Sequence, residues 1–260
     1  DAQESRGLGD VYKRQALSFA AGQIRDRLSP DHWRLVVTAA GCLDGLAVDP
    51  QAALADEGIA VSAPDVVAAL KRLGTQLSAI TGSQTDRMTR DDGWRLLTLG
   101  RQLERLSAMA NLLGALFRRN AVLGDSAFGL LLDLFDSTIT YRAHYPGRQE
   151  IPALLNLLVL EPANPRSIAC VLGVLRKELA RLPGAADGPG AALADLLPVP
   201  AEGAAAGTAL AALCERDGQG RYQALLDLAA QLDAAASALS NDISRRYFSH
   251  VSGRDQTLTA

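Results

Sequence analysis

Residues 90–120 read RDDGWRLLTLGRQLERLSAMANLLGALFRRN, and this stretch decides the fold. Leu96, Leu99, Leu103, Leu106, Ala110, Leu113 and Phe117 recur at helical spacing along one face, while Trp94, Met109, Leu112 and Leu116 widen it. An apolar sector this broad predicts a long helix buried on more than one side, the central helix of a bundle. Thr89, with Asp92 three residues on, resembles an acidic capping box at its start. Gly93, Gly100, Ser107 and Gly114 fall every seven positions, a stripe where another helix can approach closely.

Outward from this helix the pattern stays helical. Helices are predicted over 16–28, over 30–42 behind a Ser29 cap with Pro30 at the first position, and over 63–82 on the stripe Val66, Val67, Leu70, Leu73, Leu77 and Ile80. A helix over 125–145, capped by Asp125 or Ser126, buries Phe128, Leu131, Leu132, Phe135 and Ile139, and Arg142 and Tyr145 continue that face. A short apolar helix follows over 151–160, then a helix over 164–182 with Asn164-Pro165 as cap and first residue. Two last helices cover 208–214 and 220–248. Residues 43–62 read as a connection, and the Ala, Gly and Pro of 183–207 as a mobile loop. No alternating strand pattern of useful length occurs. The expected fold is an all-α bundle of about seven to nine helices, in one domain over 16–250 with a tail over 251–260.

Composition removes several classes of function. With 26 Lys plus Arg against 29 Asp plus Glu, the net charge of -3 argues against a general nucleic-acid binder, which needs a basic excess to neutralise phosphates. No apolar run reaches the roughly 18 to 20 residues that cross a bilayer, since Asp133 and Asp136 or Glu161-Pro162 interrupt the longest. Cys42, Cys170 and Cys214 are odd in number, far apart and set among apolar residues, so they read as reduced thiols of a cytoplasmic protein. His32, His144 and His250 are scattered, without a metal-ligand spacing. The segment Asp10-Val-Tyr-Lys-Arg-Gln15 looks like a translated sequencing adapter, so residues 1–15 are set aside from the fold. Removing them takes away three cations and three anions and leaves the charge at -3.

Polar residues in apolar surroundings mark the candidate site. Arg101, Glu104 and Arg105 project between Leu97, Trp94 and Leu112, inside the broad sector. A buried carboxylate beside two guanidiniums needs pairing, with Arg101 at i-3 or with Arg142 from its inward face. Such a cluster is either an ion-pair network that fixes helix register or a polar cleft for an anionic or peptide-like ligand. Tyr141-Arg142-Ala143-His144-Tyr145-Pro146-Gly147-Arg148 gathers aromatics and cations at a helix C-terminus, where cations also offset the negative end. Glu161-Pro162-Ala163-Asn164-Pro165-Arg166-Ser167 opens a helix whose amides can take a carboxylate or phosphate beside Arg166, or only a cap.

Together with Gly93 to Arg105, Leu157 to Ser167 and Tyr247-Phe248-Ser249-His250, these segments resemble the bacterial alpha-E domain family, named for its helices and its Glu-Arg motif. The resemblance covers nearly all of 16–250. It implies a helical module associated with circularly permuted ATP-grasp and transglutaminase-like proteins, in cis or in trans, within a system that makes peptide or amide bonds. The stretch Arg25 to Trp33 looks like the C-terminal part of such a fused form. Family members usually begin with an earlier helix carrying another Glu-Arg motif; with the adapter reading, the chain reads as a fragment truncated at its N-terminus.

On this resemblance Arg101, Glu104, Arg105, Arg142 and Arg166 clamp carboxylates of a substrate, carrier or partner, Tyr141 and Tyr145 line the cleft, and Asn164 contributes to it. No cofactor belongs to this domain; ATP and Mg would belong to the ATP-grasp domain. Two alternatives stand beside it: an enzyme acting on peptide or amide bonds with Glu104 as acid/base, and a purely structural or oligomer-forming bundle.

Overall fold

The computed structural model describes residues 16–42, 62–119, 124–147, 149–183, 197 and 204–248. The adapter-like segment, the connection over 43–61, most of the stretch over 183–207 and the tail lie outside them. Contacts gather the chain into two compact units, Asp1–Arg90 and Asp91–Ala260. Every described element is helix or turn, and no strand occurs among the described residues.

In the first unit, helix α1 spans 16–23, a 3-10 turn Arg25–Arg27 follows, and α2 (Pro30–Gly41) packs against α3 (Ala63–Asp86). Both of these helices start as serine caps dictate. The Ser29 hydroxyl accepts from the His32 amide at 3.2 Å, and Ser62 accepts from Asp65 at 3.3 Å. Leu28, Val36, Ala39 and Ile80 form a small core, with Trp33, Leu35 and Leu73 against it. The apolar stripe read along α3 is only partly used: Ile80 is buried, whereas Val67, Leu70 and Leu77 are about half exposed. Within this unit α2 is the partner of α3, and one partner helix covers an arc narrower than the stripe.

The second unit is built round α4 (Asp92–Arg118), capped by Asp91, whose carboxylate accepts from the Trp94 amide at 3.0 Å. Its neighbours are α5 (Asp125–Leu134), α6 (Thr138–His144), α7 (Ile151–Leu155, running on as a π-helical turn Asn156–Leu160), α8 (Ile168–Leu179), α9 (Ala204–Cys214) and α10 (Gln223–Ile243, running on as a π-helical turn Ser244–Phe248). α4 is central as its sequence requires, with α10 on one side and α8 on another. Leu99, Leu106, Leu113 and Phe117 are sealed against Leu175, Leu225, Leu232 and Leu239 in one continuous core.

α10 runs antiparallel to α4. The Phe117 and Tyr222 rings meet edge to face at 5.2 Å, Gly114 faces Ala229, and Asp233 accepts hydrogen bonds from Ser107 and, at 3.0 Å, from Asn111. Ser107 and Gly114 therefore mark the close approach that the small-residue stripe foretells. Gly100 does not: it is exposed, and a Cβ there would meet nothing within 4 Å.

The continuous helix expected over 125–145 is corrected to two. Asp136 adopts φ 47°, the Ser137 amide reaches back to the Leu132 carbonyl at 2.9 Å, and the Asp136 amide to Asp133 at 2.9 Å. This is a Schellman stop, with an aspartate where glycine is usual. The break resets the register. Tyr141 turns inward onto Phe128 (rings 5.5 Å apart), while Ile139 and Arg142, both read as inward, face solvent.

The start of α8 is corrected as well. Ser167, not Asn164, is the cap, its hydroxyl accepting from the Cys170 amide at 3.0 Å. Asn164 is buried and donates through Nδ2 to Ser137 Oγ (3.2 Å) and the Leu157 carbonyl (3.0 Å), while its Oδ1 accepts from the Arg166 amide (3.1 Å). It ties three segments together rather than opening a helix.

Candidate functional site

Along α4, Arg95, Thr98, Gln102 and Arg105 follow one another at alternating steps of three and four residues, and the same row continues as Met109, Leu112 and Leu116. One seam of the helix is thus polar in its first half and apolar in its second. Thr98, Gln102 and Met109 are buried, and Arg95 and Arg105 are half-buried. Glu104 lies about half a turn away from Arg95 on the wheel and is exposed, which corrects its expected burial inside the apolar sector.

The C-terminal end of the polar half gathers cations. Burial holds the Arg105 guanidinium below its ordinary pKa, and the neighbouring charges of Arg166 and Arg101 push the same way. Burial lowers Arg101 too. Both groups remain charged near neutrality, because guanidinium starts so high. Arg166 is exposed and pairs with Asp136 at 3.0 Å. Arg105 has no carboxylate partner among the described residues. A cavity of about 120 Å³ opens here, lined by Arg105 and Arg166 on its polar side and by Ala108, Met109, Leu112, Leu134 and Phe135 on its apolar side.

The sequence-read residues thus separate into three groups. Arg101, Arg105 and Arg166 come together. The Tyr141 and Tyr145 rings meet at a tilt of 39° with centres 5.2 Å apart; Tyr145 Oη accepts from Asn156 at 3.0 Å and Tyr141 Oη from the Glu150 amide at 3.4 Å, so both serve the packing of α6 on α7. Neither lines the cavity, and burial raises the Tyr141 pKa. Glu104 and Arg142 point to solvent, and Asn164 shapes the loop that carries Arg166.

Sequence reasoning missed the other end of the polar seam. Glu178 of α8 is buried, with Arg95 Nε 3.9 Å away and Arg181 at 3.7 Å, while its Oε2 and the buried Oε1 of Gln102 accept no hydrogen bond. The three-four row Arg95, Thr98 and Gln102 marks the α4 side of this end, whereas nothing in the apolar row of α8 marks Glu178. Among the described residues no group of His, Cys, Asp and Glu is placed to hold a metal, and no helix is long and apolar enough to cross a membrane.

These features define a helical-bundle domain with a Glu-Arg pair midway along its central helix and an arginine-lined cavity beside it. The model of the Alpha-E family, described as a predicted alpha-helical domain with a conserved ER motif, matches residues 11–248, and the chain belongs to that family. It is also 28% identical over 177 residues to an uncharacterised protein of Mycobacterium tuberculosis and to one of Mycobacterium bovis. The match covers 67% of this chain but 19% of each relative, so the chain spans about a fifth of the proteins it resembles. No solved structure matches it.

Proposed function

We propose that the chain is the binding module of an ATP-grasp-linked system that forms peptide or amide bonds, and that it holds a carboxylate of the substrate, carrier or partner at Arg105, Arg166 and Arg101. The observation that carries this reading is Arg105: half-buried, close to two like charges, and without a carboxylate partner among the described residues. Gathering cations in a partly desolvated place is costly unless an anion repays it. A carboxylate or phosphate supplies that anion through the planar fork of guanidinium donors. A purely structural role would leave Arg105 without a carboxylate partner among the described residues.

Calorimetric titration with the tripeptide Gly-Gly-Ala and with its C-terminal amide tests this. The free acid should bind and the amide should not, and Arg105→Gln should weaken the acid about tenfold, the usual scale for loss of a charged hydrogen-bonded contact. Equal binding of acid and amide, or indifference to Arg105→Gln, would overturn the reading.

A further inference from the structure

The cavity beside Arg105 is small and two-sided, and both properties bear on what it can take. About 120 Å³ of space takes the acid group and adjoining carbons of a small ligand. Its polar lining is cationic, from Arg105 and Arg166, and its remaining wall is Met109, Leu112, Leu134 and Phe135. A bare phosphate would leave that wall without a partner, whereas Met109, Leu112 and Leu134 present aliphatic groups that suit an aliphatic chain.

Phe135 is followed by Asp136, which holds the left-handed conformation of a Schellman stop without being glycine, and its carboxylate sits 3.0 Å from Arg166. Both partners are exposed, so the pair is weakly held in water. Asp136 thereby presents to Arg166, at the edge of the cavity's own lining, the same functional group that a ligand acid would present.

We propose that the cavity is a pocket for a short aliphatic carboxylate, and that Asp136 is its internal competitor, giving up Arg166 when the ligand's acid group arrives. The proposal rests on the carboxylate-binding reading above. Arg105 is the fixed anchor, the aliphatic chain lies against Met109, Leu112, Leu134 and Phe135, and affinity is set by the difference between two carboxylates for one guanidinium. At Arg166, though not at Arg105 or the apolar wall, a ligand gains only what Asp136 concedes.

Ligand-observed NMR titration of the chain with butyrate, with butyramide, phenylacetate and inorganic phosphate as comparisons, tests each part. Butyrate should bind and butyramide should not. Asp136→Asn keeps a residue tolerant of the left-handed conformation but removes the charge, and should tighten butyrate about two- to fivefold, the worth of an exposed pair; Arg105→Gln should weaken it about tenfold and Arg166→Gln about two- to threefold. If Arg105→Gln weakens butyrate while Asp136→Asn changes nothing, the role of Asp136 is overturned and the carboxylate reading stands. Binding of phosphate or phenylacetate as tightly as butyrate overturns the aliphatic assignment. Failure of butyrate to bind both the wild type and Asp136→Asn overturns the pocket and the reading together. Should Arg105→Gln not fold by circular dichroism, the exposed Arg166→Gln decides.

Discussion

Asn164 and His32 are the two buried polar residues whose chemistry reaches furthest. Asn164 satisfies a hydroxyl, a carbonyl and an amide from three separate segments. Asn164→Ala should cost about 2–3 kcal/mol, the scale for removing several buried hydrogen bonds at once, seen as a lower urea midpoint for the second unit. Asn164→Asp should be no better, since it sets an acceptor against the Leu157 carbonyl. His32 is buried with Nε2 unpartnered, and burial lowers its pKa from 6.5. The folded state therefore prefers the neutral imidazole, while the unfolded chain takes up a proton as pH falls through 6.5. Stability of the first unit should be full above that value and decline as pH drops from it toward the folded pKa. His32→Leu should flatten the dependence of thermal midpoint on pH between about 7 and 5; an unchanged slope would assign the effect elsewhere.

At the level of elements, the helices with simple caps were the legible ones. Ser29-Pro30 opens α2 where the sequence says it should, and α3 starts where its apolar stripe does, with Ser62 as the cap that the structure adds. The stop at Asp136 was illegible because a Schellman turn is normally announced by glycine, and here none stands in the pattern. That single turn moved Ile139 and Arg142 outward and Tyr141 inward. Asn164-Pro165 misled for a related reason: asparagine caps helices and also closes buried turns, and only the tertiary partners decide which. The seven-residue spacing of small residues was right where α10 lies and wrong at Gly100. Since a Cβ at Gly100 meets nothing, Gly100→Ala should stabilise the second unit by about 1 kcal/mol through helix propensity alone, raising its thermal midpoint. Loss of stability would mean that something packs on that face.

For the molecule as a whole, the all-α architecture and the central place of 92–118 followed from periodicity, because burial on several sides leaves a wide apolar sector that no other arrangement explains. The candidate site was half legible. Arg101, Arg105 and Arg166 could be named from their surroundings, but what brings Arg166 in and turns Arg142 out depends on how α5 ends and α8 begins, whereas Glu104 is turned away by its own place on the α4 wheel. Glu178 was lost in an apolar row because one carboxylate among leucines reads as the solvated edge of a helix.

The two halves of the α4 seam also differ in how firmly they are held. From Met109 onward the row is cemented by apolar contact; from Arg95 to Arg105 it rests on a buried glutamate with one oxygen unpartnered and on cations crowding one another. Local opening is favoured where burial is least rewarded. Backbone amides over 95–105 should exchange with deuterium faster than those over 109–117, and a bound acid should slow exchange most over 105–112, where α4 lines the cavity. Ligand capture would then register as a stiffening of the helix where its polar and apolar halves meet, with no displacement of its axis.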